Sequence, residues 1–478
     1  MLRSNRLTKA LEKLFWIYLF LNPILDIVNG FFISSTLNVG ILDVEFVSTL
    51  GVTPSLVIRM LFLLIFVIYI FLVHDRYSIL TAIPIGLAWA LSLLSEYHWT
   101  GGISLFIDAQ YMARFCYNVV ILMVYTRVFA RRWGYDGNDL LGTLDTVITY
   151  TLILLSLSIL IPAIFGLGYN TYADRLGYRG NRGFFYAGND VTAIMALLMP
   201  LSIAKALRGR EESSRMSGKP RFQYLPALAA ALSANAMLMI GSKTAFIALV
   251  FDVLAIFLYT LIRVKRCGSG MLADFLRFFA IFLVIFLVLN VISCFQVRSQ
   301  LAKEGELEPF RISDIFKYGT LQAILESANA TELIAENEGF ENAMFNGRHI
   351  KLAEQFTQYR SGGVLVWLFG LGRGSQKVII EMDLFEVFCY YGIFGFAVML
   401  WLFFKLGIEF FKRFLRKFDL TAFALLLSIG LVVGYLIIAG HVLFSVTSGF
   451  YFGFAIIYSR VWFAERPEEI LLWGKQTV

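Results

Sequence analysis

The chain has 478 residues, of which 58% are hydrophobic and only 16% are charged, and its mean hydropathy is +0.72. A soluble protein carries about a quarter charged residues, so the composition excludes a water-soluble globular fold. The net charge of +7 does not indicate nucleic-acid binding, because basic residues that anchor membrane spans in the cytoplasm account for most of the excess.

Apolar segments long enough to cross a bilayer recur along the chain. A transmembrane helix needs about 20 apolar residues to cross a hydrocarbon core of about 30 Å. The pattern predicts an all-α polytopic membrane protein with about twelve spans. These spans are predicted near residues 13–33, 54–73, 78–94, 103–127, 144–167, 188–206, 223–240, 244–262, 274–294, 381–404, 419–439 and 442–462.

Lys and Arg residues predict the orientation of the spans. Arg3, Arg6 and Lys9 precede no small-residue cleavage site, so they are interpreted as a cytoplasmic lead-in and not as a removable signal. Every second gap between spans is rich in Lys and Arg, which is typical of cytoplasmic loops. Both termini are therefore predicted to lie in the cytoplasm.

One long connection divides the chain. Residues 296–380, predicted on the outer side, separate nine spans in 1–295 from three spans and a tail in 381–478. A connection of this length is usually functional. Within it, residues 312–326 and 346–360 place apolar side chains on one face, which predicts two amphipathic helices on the membrane surface or over a cavity.

The outer loop at 167–188, between the fifth and sixth predicted spans, breaks the charge rule. It contains Arg175, Arg179 and Arg182 among glycines and aromatic residues. Guanidinium groups bind phosphate oxygens, and glycines let the backbone approach a bulky ligand, so the cluster predicts a site for a phosphate-bearing lipid. Contact with lipid headgroups alone is the alternative interpretation.

Two further cations occupy unusual positions. Lys243 lies in a very short turn between two apolar spans, where it is either an interfacial anchor or a ligand residue. Arg114 lies inside the fourth predicted span, and an arginine there needs a cavity or a charged partner. Asp108 and Asp26 are the predicted partners, and a structural ion pair is as plausible as a catalytic role.

Carboxylates open the tenth predicted span. Glu381 and Asp383 lie at its outer end, where a carboxylate can simply stabilise the helix N-terminus. Alternatively, one of them is a general base that takes a proton from a sugar hydroxyl. Gly392 and Gly395 would then let a neighbouring helix pack closely behind this base.

Three groups of residues together resemble the Wzy-type bacterial polysaccharide polymerases, which share a superfamily with the O-antigen ligases. The first is Arg179-Gly-Asn-Arg-Gly-Phe-Phe followed by Gly188-Asn-Asp, and the second is the Gly-Ser-Lys-Thr turn at Lys243. The third is Asn346-Gly-Arg348, followed by Phe-Gly-Leu-Gly and by Glu-x-Asp…Tyr-Gly-x-x-Gly from Glu381 onwards. The order and placement of these groups carry the resemblance, which covers most of the chain.

The sequence departs from its relatives at two positions. The family often has arginine where Lys243 stands, and lysine lacks the bidentate fork that binds phosphate. The ligases have a histidine eleven residues before one glycine and fourteen before another, and here Glu381 has that spacing to Gly392 and Gly395. The resemblance therefore favours a polymerase over a ligase.

The resemblance implies a GT-C-like glycosyltransferase of the bacterial cytoplasmic membrane, with its site facing outward and without a metal or other cofactor. Its donor and acceptor would be glycans on polyprenyl (undecaprenyl) diphosphate, and a chain-length regulator and a flippase would be its partners. Glu381 is expected to activate the acceptor, with Asp383 as the second candidate. The residues expected to bind the diphosphate are Arg179, Arg182, Arg348 and Lys243, with Arg175 and Arg114 behind them.

Two other functions stay open from the sequence. An O-antigen ligase-type transferase would have the same topology and the same cations. A transporter or flippase for an anionic lipid-linked substrate would also combine about twelve spans with misplaced arginines. Transporters commonly show internal repeats, and no convincing two-half repeat is evident in this chain.

Overall fold

The computed structural model describes residues 6–33, 53–171, 180–185, 187–213, 222–267, 269–303, 310–317, 341, 345, 347–376, 378–440 and 442–473. Within these ranges there is no strand, only an isolated bridge between Asn170 and Asn181, and a short 3-10 helix at Pro467–Glu469. The α-helices are α1 (Arg6–Ile33), α2 (Pro54–Leu72), α3 (Arg76–Thr100), α4 (Leu105–Trp133), α5 (Gly137–Ile164), α6 (Gly188–Ser213), α7 (Tyr224–Ile240), α8 (Lys243–Cys267), α9 (Gly270–Lys303), α10 (Asp314–Lys317), α11 (Arg348–Ser361), α12 (Gly363–Phe369), α13 (Asp383–Arg416), α14 (Leu420–Ile438) and α15 (Ser448–Phe463).

Each of the predicted spans coincides with one of these helices. In the part of the chain that the structure describes, nine helices are long and apolar enough to cross a membrane. The remaining predicted spans correspond to α1, α7 and α15, and α7 is a shorter apolar helix of 17 residues. The prediction of an all-α polytopic membrane protein is confirmed, whereas the number of twelve spans stays a prediction.

Helices α6 and α7 form the centre of the bundle. The most apolar window of α6 is 89% buried, whereas that of α9 is only 22% buried and leaves most side chains facing outward. Helix α7 is rich in alanine, and α5, α6 and α9 all pack against it. Small side chains allow this close approach. The resulting van der Waals contacts stabilise the packing, because there is no hydrophobic driving force between helices in lipid.

Ion pairs join the helices at the end of the bundle that the charge pattern predicts to be cytoplasmic. Asp145 of α5 binds both Lys205 (2.7 Å) and Arg208 (2.8 Å) of α6. Arg127 of α4 pairs with Asp75, which precedes α3, at 2.9 Å. The basic residues that the sequence suggested as membrane anchors therefore also connect neighbouring helices.

The long connection between α9 and α13 carries the short helices α10, α11 and α12. Helix α11 corresponds to the amphipathic helix predicted at 346–360, whereas only the first part of the one predicted at 312–326 lies in the described residues, as α10. Tyr359 of α11 packs on the ring of Phe388 in α13, and its hydroxyl donates to the carbonyl of Trp367 in α12 (2.6 Å). These contacts hold α11 and α12 against the start of α13.

Candidate functional site

Helix α13 is interrupted at Gly392, and a glycine-rich segment, residues 369–374, packs into the break. Gly392 has φ 68° and ψ −173°, which is not a helical conformation. Beside it, the carbonyl of Tyr390 accepts a hydrogen bond from the N–H of Gly372 (3.0 Å), and that of Cys389 accepts one from the preceding N–H of the segment (2.9 Å). A broken helix in a membrane needs such replacement partners for its backbone.

Glycine is required on both sides of this contact. A Cβ on Gly370 would overlap the carbonyl of Tyr390, and one on Gly392 would lie 2.5 Å from the carbonyl of Leu368. Both glycines also have positive φ, which side chains disfavour. The predicted close packing behind the carboxylates is therefore present at Gly392, while Gly395 faces a side chain of its own helix instead.

Asp108, at the start of α4, binds the backbone of the glycine-rich segment. Its carboxylate accepts hydrogen bonds from the N–H groups of Arg373 (3.2 Å) and Gly374 (2.6 Å). Ser95 of α3 donates from its hydroxyl to the carbonyl of Gly370 (2.6 Å). The segment is thus held by α3, α4 and α13 together, which fixes the direction in which Arg373 leaves it.

Arg373 is a buried cation that the sequence-based prediction did not name. Its side chain is 7% exposed and lies over the rings of Tyr111 (5.0 Å) and Tyr390 (5.6 Å), and its Nη1 donates to the carbonyl of Gln376 (2.9 Å). Burial opposes its charge, but the negative potential of the Tyr111, Tyr390 and Glu386 oxygens outweighs this effect and raises the pKa of Arg373. It therefore stays cationic.

Glu386, one turn into α13, connects the interior of the site to Glu381. It is 2% exposed, and its carboxylate accepts a hydrogen bond from the hydroxyl of Tyr111 and another from the backbone N–H of Glu381 (2.8 Å). A buried carboxylate whose oxygens both accept hydrogen bonds holds the donor groups in place. Here it fixes the backbone of the residue that was predicted to be the general base.

Glu381 lies between two cations of α11. Its carboxylate pairs with Lys351 Nζ at 2.9 Å and with Arg348 Nε at 3.3 Å, and its side chain is 31% exposed. Its φ of 60° is in the left-handed region, which is uncommon for a residue other than glycine. Gly440 passes so close to the carbonyl of Glu381 that a Cβ there would lie 2.5 Å away. The structure thus brings together two predicted site residues, Arg348 and Glu381, and adds Lys351.

Asp383, the second predicted base, has different surroundings. It is 2% exposed, and its Oδ2 accepts hydrogen bonds from the N–H groups of Val442 and Leu443, both at 2.7 Å. The same turn accepts three hydrogen bonds from the side-chain amide of Asn118 in α4, the shortest being to the carbonyl of Leu443 (2.8 Å). These contacts indicate that Asp383 positions the turn before α15.

The two acidic partners predicted for Arg114 bind other groups. Asp108 holds the glycine-rich segment, and Asp26 pairs with Arg59 of α2 at 2.8 Å. Those predicted pairings are therefore wrong, because Asp26 and Arg59 face each other between neighbouring helices. Arg114 instead has its favourable electrostatic interactions with Asp190, at the start of α6, and with Tyr111.

The basic loop and the Gly-Ser-Lys-Thr turn lie against each other. The N–H of Asn181 donates to the carbonyl of Met239 (2.7 Å), at the end of α7 and just before the turn that leads to Lys243. The guanidinium of Arg182 lies over the ring of Tyr169, 5.2 Å from its centroid. Arg182 and Lys243, two of the predicted cations, thus lie in adjoining segments. The other two arginines of the loop, Arg175 and Arg179, lie outside the described residues.

A contact between α6 and the turn before α15 connects the basic loop with the carboxylates. Ser445 donates to Asp190 at 3.4 Å, and the turn that contains Ser445 is the one bound by Asp383. The candidate site therefore extends from the basic loop, through the start of α6, to Glu381 and α11 at the same end of the bundle. Cations and carboxylates alternate along it, an arrangement suited to binding a phosphate group beside a reacting hydroxyl.

Comparison with known proteins gives one family match. A family model described as O-antigen ligase like membrane protein matches residues 8–463, which is nearly the whole chain. Searches of curated proteins and of solved structures find no significant match.

Proposed function

The chain belongs to the O-antigen ligase like membrane proteins, and we propose that within this family it polymerises lipid-linked oligosaccharide repeat units. The family consists of membrane enzymes of the glycosyltransferase type, and its members process lipid-linked glycans. The donor in this proposal is a growing glycan on polyprenyl diphosphate. The acceptor is the terminal sugar of another lipid-linked unit.

The observation that carries the proposal is the position of Glu381 between Arg348 and Lys351. In the transfer, the acceptor oxygen forms a bond to the anomeric carbon of the donor while the bond from that carbon to the diphosphate breaks. The acceptor proton passes to the Glu381 carboxylate, and the diphosphate leaves with the bonding electron pair. A carboxylate beside cations that can bind the leaving group suits both halves of this step.

The ion pairs of Glu381 have a second use in this mechanism. Without substrate, Arg348 and Lys351 both pair with the carboxylate. An arriving diphosphate competes for the same cations, because phosphate oxygens make strong charge-assisted hydrogen bonds with guanidinium and ammonium groups. Binding of the donor would then release the Glu381 carboxylate from its ion pairs, at the moment when a base is needed.

The other cations bind the diphosphate in this proposal. Arg182 and Lys243 lie in adjoining segments at the same end of the bundle. Arg175 and Arg179 belong to the same loop, and Arg114 lies near Asp190 at the start of α6. Asp383 and Glu386 hold the turn before α15 and the Glu381 backbone, so we assign them positioning roles.

Reconstitution with lipid-linked repeat units tests the proposal. Wild-type protein in liposomes should produce a ladder of glycans, and the Glu381→Gln variant should leave single units, because an amide accepts no proton. Glu354→Gln is the matched control, since Glu354 is an exposed carboxylate of α11, the helix that carries Arg348 and Lys351, and its replacement should leave the ladder unchanged. A persisting ladder in Glu381→Gln would show that the base is a different residue.

A ligase is the second candidate, favoured by the description of the matching family. The same experiment separates the two activities. A ligase transfers a finished glycan once to a different acceptor, so it makes no ladder from lipid-linked units alone. Movement of the labelled lipid across the bilayer without any new glycosidic bond would instead identify a transporter.

A further inference from the structure

A lateral groove follows α13. It has a volume of about 540 Å³ and is walled by α13 from Leu400 to Arg413 and by facing parts of α14 and α15, and Leu384 and Leu443 close its other end. This volume lies within the range of about 300–1,000 Å³ that is usual for small-molecule sites. The lining is almost entirely apolar over most of its length, with side chains such as Phe403, Val433 and Ile456.

The part of the groove between Leu400 and Arg413 has the length of one membrane leaflet. From Leu400 to Arg413, α13 rises by about 20 Å at 1.5 Å per residue. Half of a hydrocarbon core is about 15 Å thick, and the headgroup region adds a few ångströms. Phe404 and Phe411, on the edge of the groove, are 58% and 53% exposed, as expected for side chains that face acyl chains.

Charged side chains are confined to one end of the groove. They are Glu409, Lys412, Arg413 and Arg460, so cations outnumber the single carboxylate. Glu409 is already paired with Arg460 at 2.6 Å. Lys412 is exposed, and the Nη2 of Arg413 donates to the carbonyl of Glu469 (3.0 Å). The Nη1 of Arg413 is inaccessible to solvent and has no hydrogen-bond partner among the residues that the structure describes.

We propose that this groove binds an anionic phospholipid, with an acyl chain along α13 and the phosphate between Lys412 and Arg413. Phosphate oxygens make strong charge-assisted hydrogen bonds with guanidinium and ammonium groups. Basic residues at the ends of spans attract acidic headgroups, and the surplus of cations here favours a net negative lipid over a zwitterionic one. The headgroup end of this site lies away from the carboxylates of the candidate site, because Asp383 and Arg413 lie at opposite ends of α13.

Native mass spectrometry of the purified full-length protein tests the headgroup. Phosphatidylglycerol and phosphatidylcholine with identical acyl chains are titrated separately. Wild type should retain the first on the order of tenfold more tightly, the effect expected from one or two nearby cations. Lys412→Gln combined with Arg413→Gln should abolish the preference, whereas Arg416→Gln, an exposed arginine of the same helix outside the groove, should preserve it. Equal retention of both lipids by wild type would overturn the proposal.

A second pair of variants tests the groove itself. Gly407 lines it, and a Cβ there would meet no atom within 4 Å, so Gly407→Phe should fold while filling the space of the acyl chain. This variant should lose the retained phosphatidylglycerol. Gly430→Phe is the control, because Gly430 is an exposed residue of α14 with equally open surroundings and does not line the groove. Undiminished lipid retention by a folded Gly407→Phe variant would refute this placement of the chain.

Discussion

Glu381 is the residue at which backbone strain and charge coincide. A side chain in the left-handed region costs about 1–2 kcal/mol. The conformation persists because Glu386 binds the backbone N–H and two cations bind the carboxylate. Such strain is retained when the surrounding structure fixes it, and it occurs often at functional positions. The strain and the ion pairs together are the reason to place the reactive group here.

Replacing Glu381 separates its strain from its chemistry. Glu381→Gly and Glu381→Gln both remove the carboxylate, so both should abolish glycan elongation. Only glycine relaxes the backbone, so Glu381→Gly should be more stable than Glu381→Gln by about 1 kcal/mol. Thermal unfolding of both variants in the same detergent measures this difference. Equal unfolding temperatures would mean that the positive φ of Glu381 carries no strain.

Individual residues of the site were only partly predictable. Arg348 and Glu381 were expected to act in one site, but their ion pair joins residues 33 positions apart, one in α11 and one just before α13, and no local pattern reports such a pairing. Lys351 was missed, although it follows Arg348 by three residues and such residues share a helix face. Arg373 was not predicted, because its burial depends on tyrosines from α4 and α13 that are distant in the sequence or lie on another element.

At the level of single elements, the break in α13 determines the shape of the site. Hydropathy runs unchanged across Gly392, so the sequence predicts an unbroken span there. The break appears only when the glycine-rich segment is placed beside it and satisfies its carbonyls. Predictions of spans succeed because the bilayer requires apolar helices, whereas predictions of kinks require knowledge of the neighbouring backbone.

Alanine substitutions test whether the break requires glycine. Gly370→Ala and Gly392→Ala should each destabilise the protein by about 2–4 kcal/mol, because the new Cβ adds left-handed strain to an overlap with backbone. Gly407→Ala, in an open position of the same helix α13, should be neutral or slightly stabilising. Thermal unfolding and the yield of monodisperse protein report the effect. If all three variants behave alike, the contact between the segment and α13 does not require glycine.

Across the whole molecule, the first and last helices meet in one buried polar network. Arg59 of α2 is completely buried and pairs with Asp26 of α1 (2.8 Å). It also donates to Asn22 (2.8 Å) and to Thr447, the residue before α15 (2.9 Å). Since Thr447 donates to Asp26 in turn (2.8 Å), residues 421 positions apart are bonded directly. The sequence predicts the spans but contains no signal for this contact between the two ends of the chain.

Removing one member of this buried pair should be costly. Arg59→Met or Asp26→Leu alone should each destabilise the protein by about 3–5 kcal/mol, because the remaining charge is buried without its counter-ion. The double variant should be much less destabilised than the sum of the two. The exposed pair Arg132 and Asp139 provides the control, for which substitution should change stability by less than about 1 kcal/mol. Additive losses at Arg59 and Asp26 would show that the two charges do not depend on each other.

The position of Arg59 and Asp26 in α2 and α1, the first two helices among the described residues, also bears on the order of membrane insertion. At about 5–20 residues per second, Thr447 leaves the ribosome roughly 20–75 s after α2 is complete. During that interval a lone Arg59 in the hydrocarbon core would be expensive, and Asp26 is already available beside it. We therefore expect α1 and α2 to enter the bilayer as a charge-neutral hairpin, against which α15 packs later.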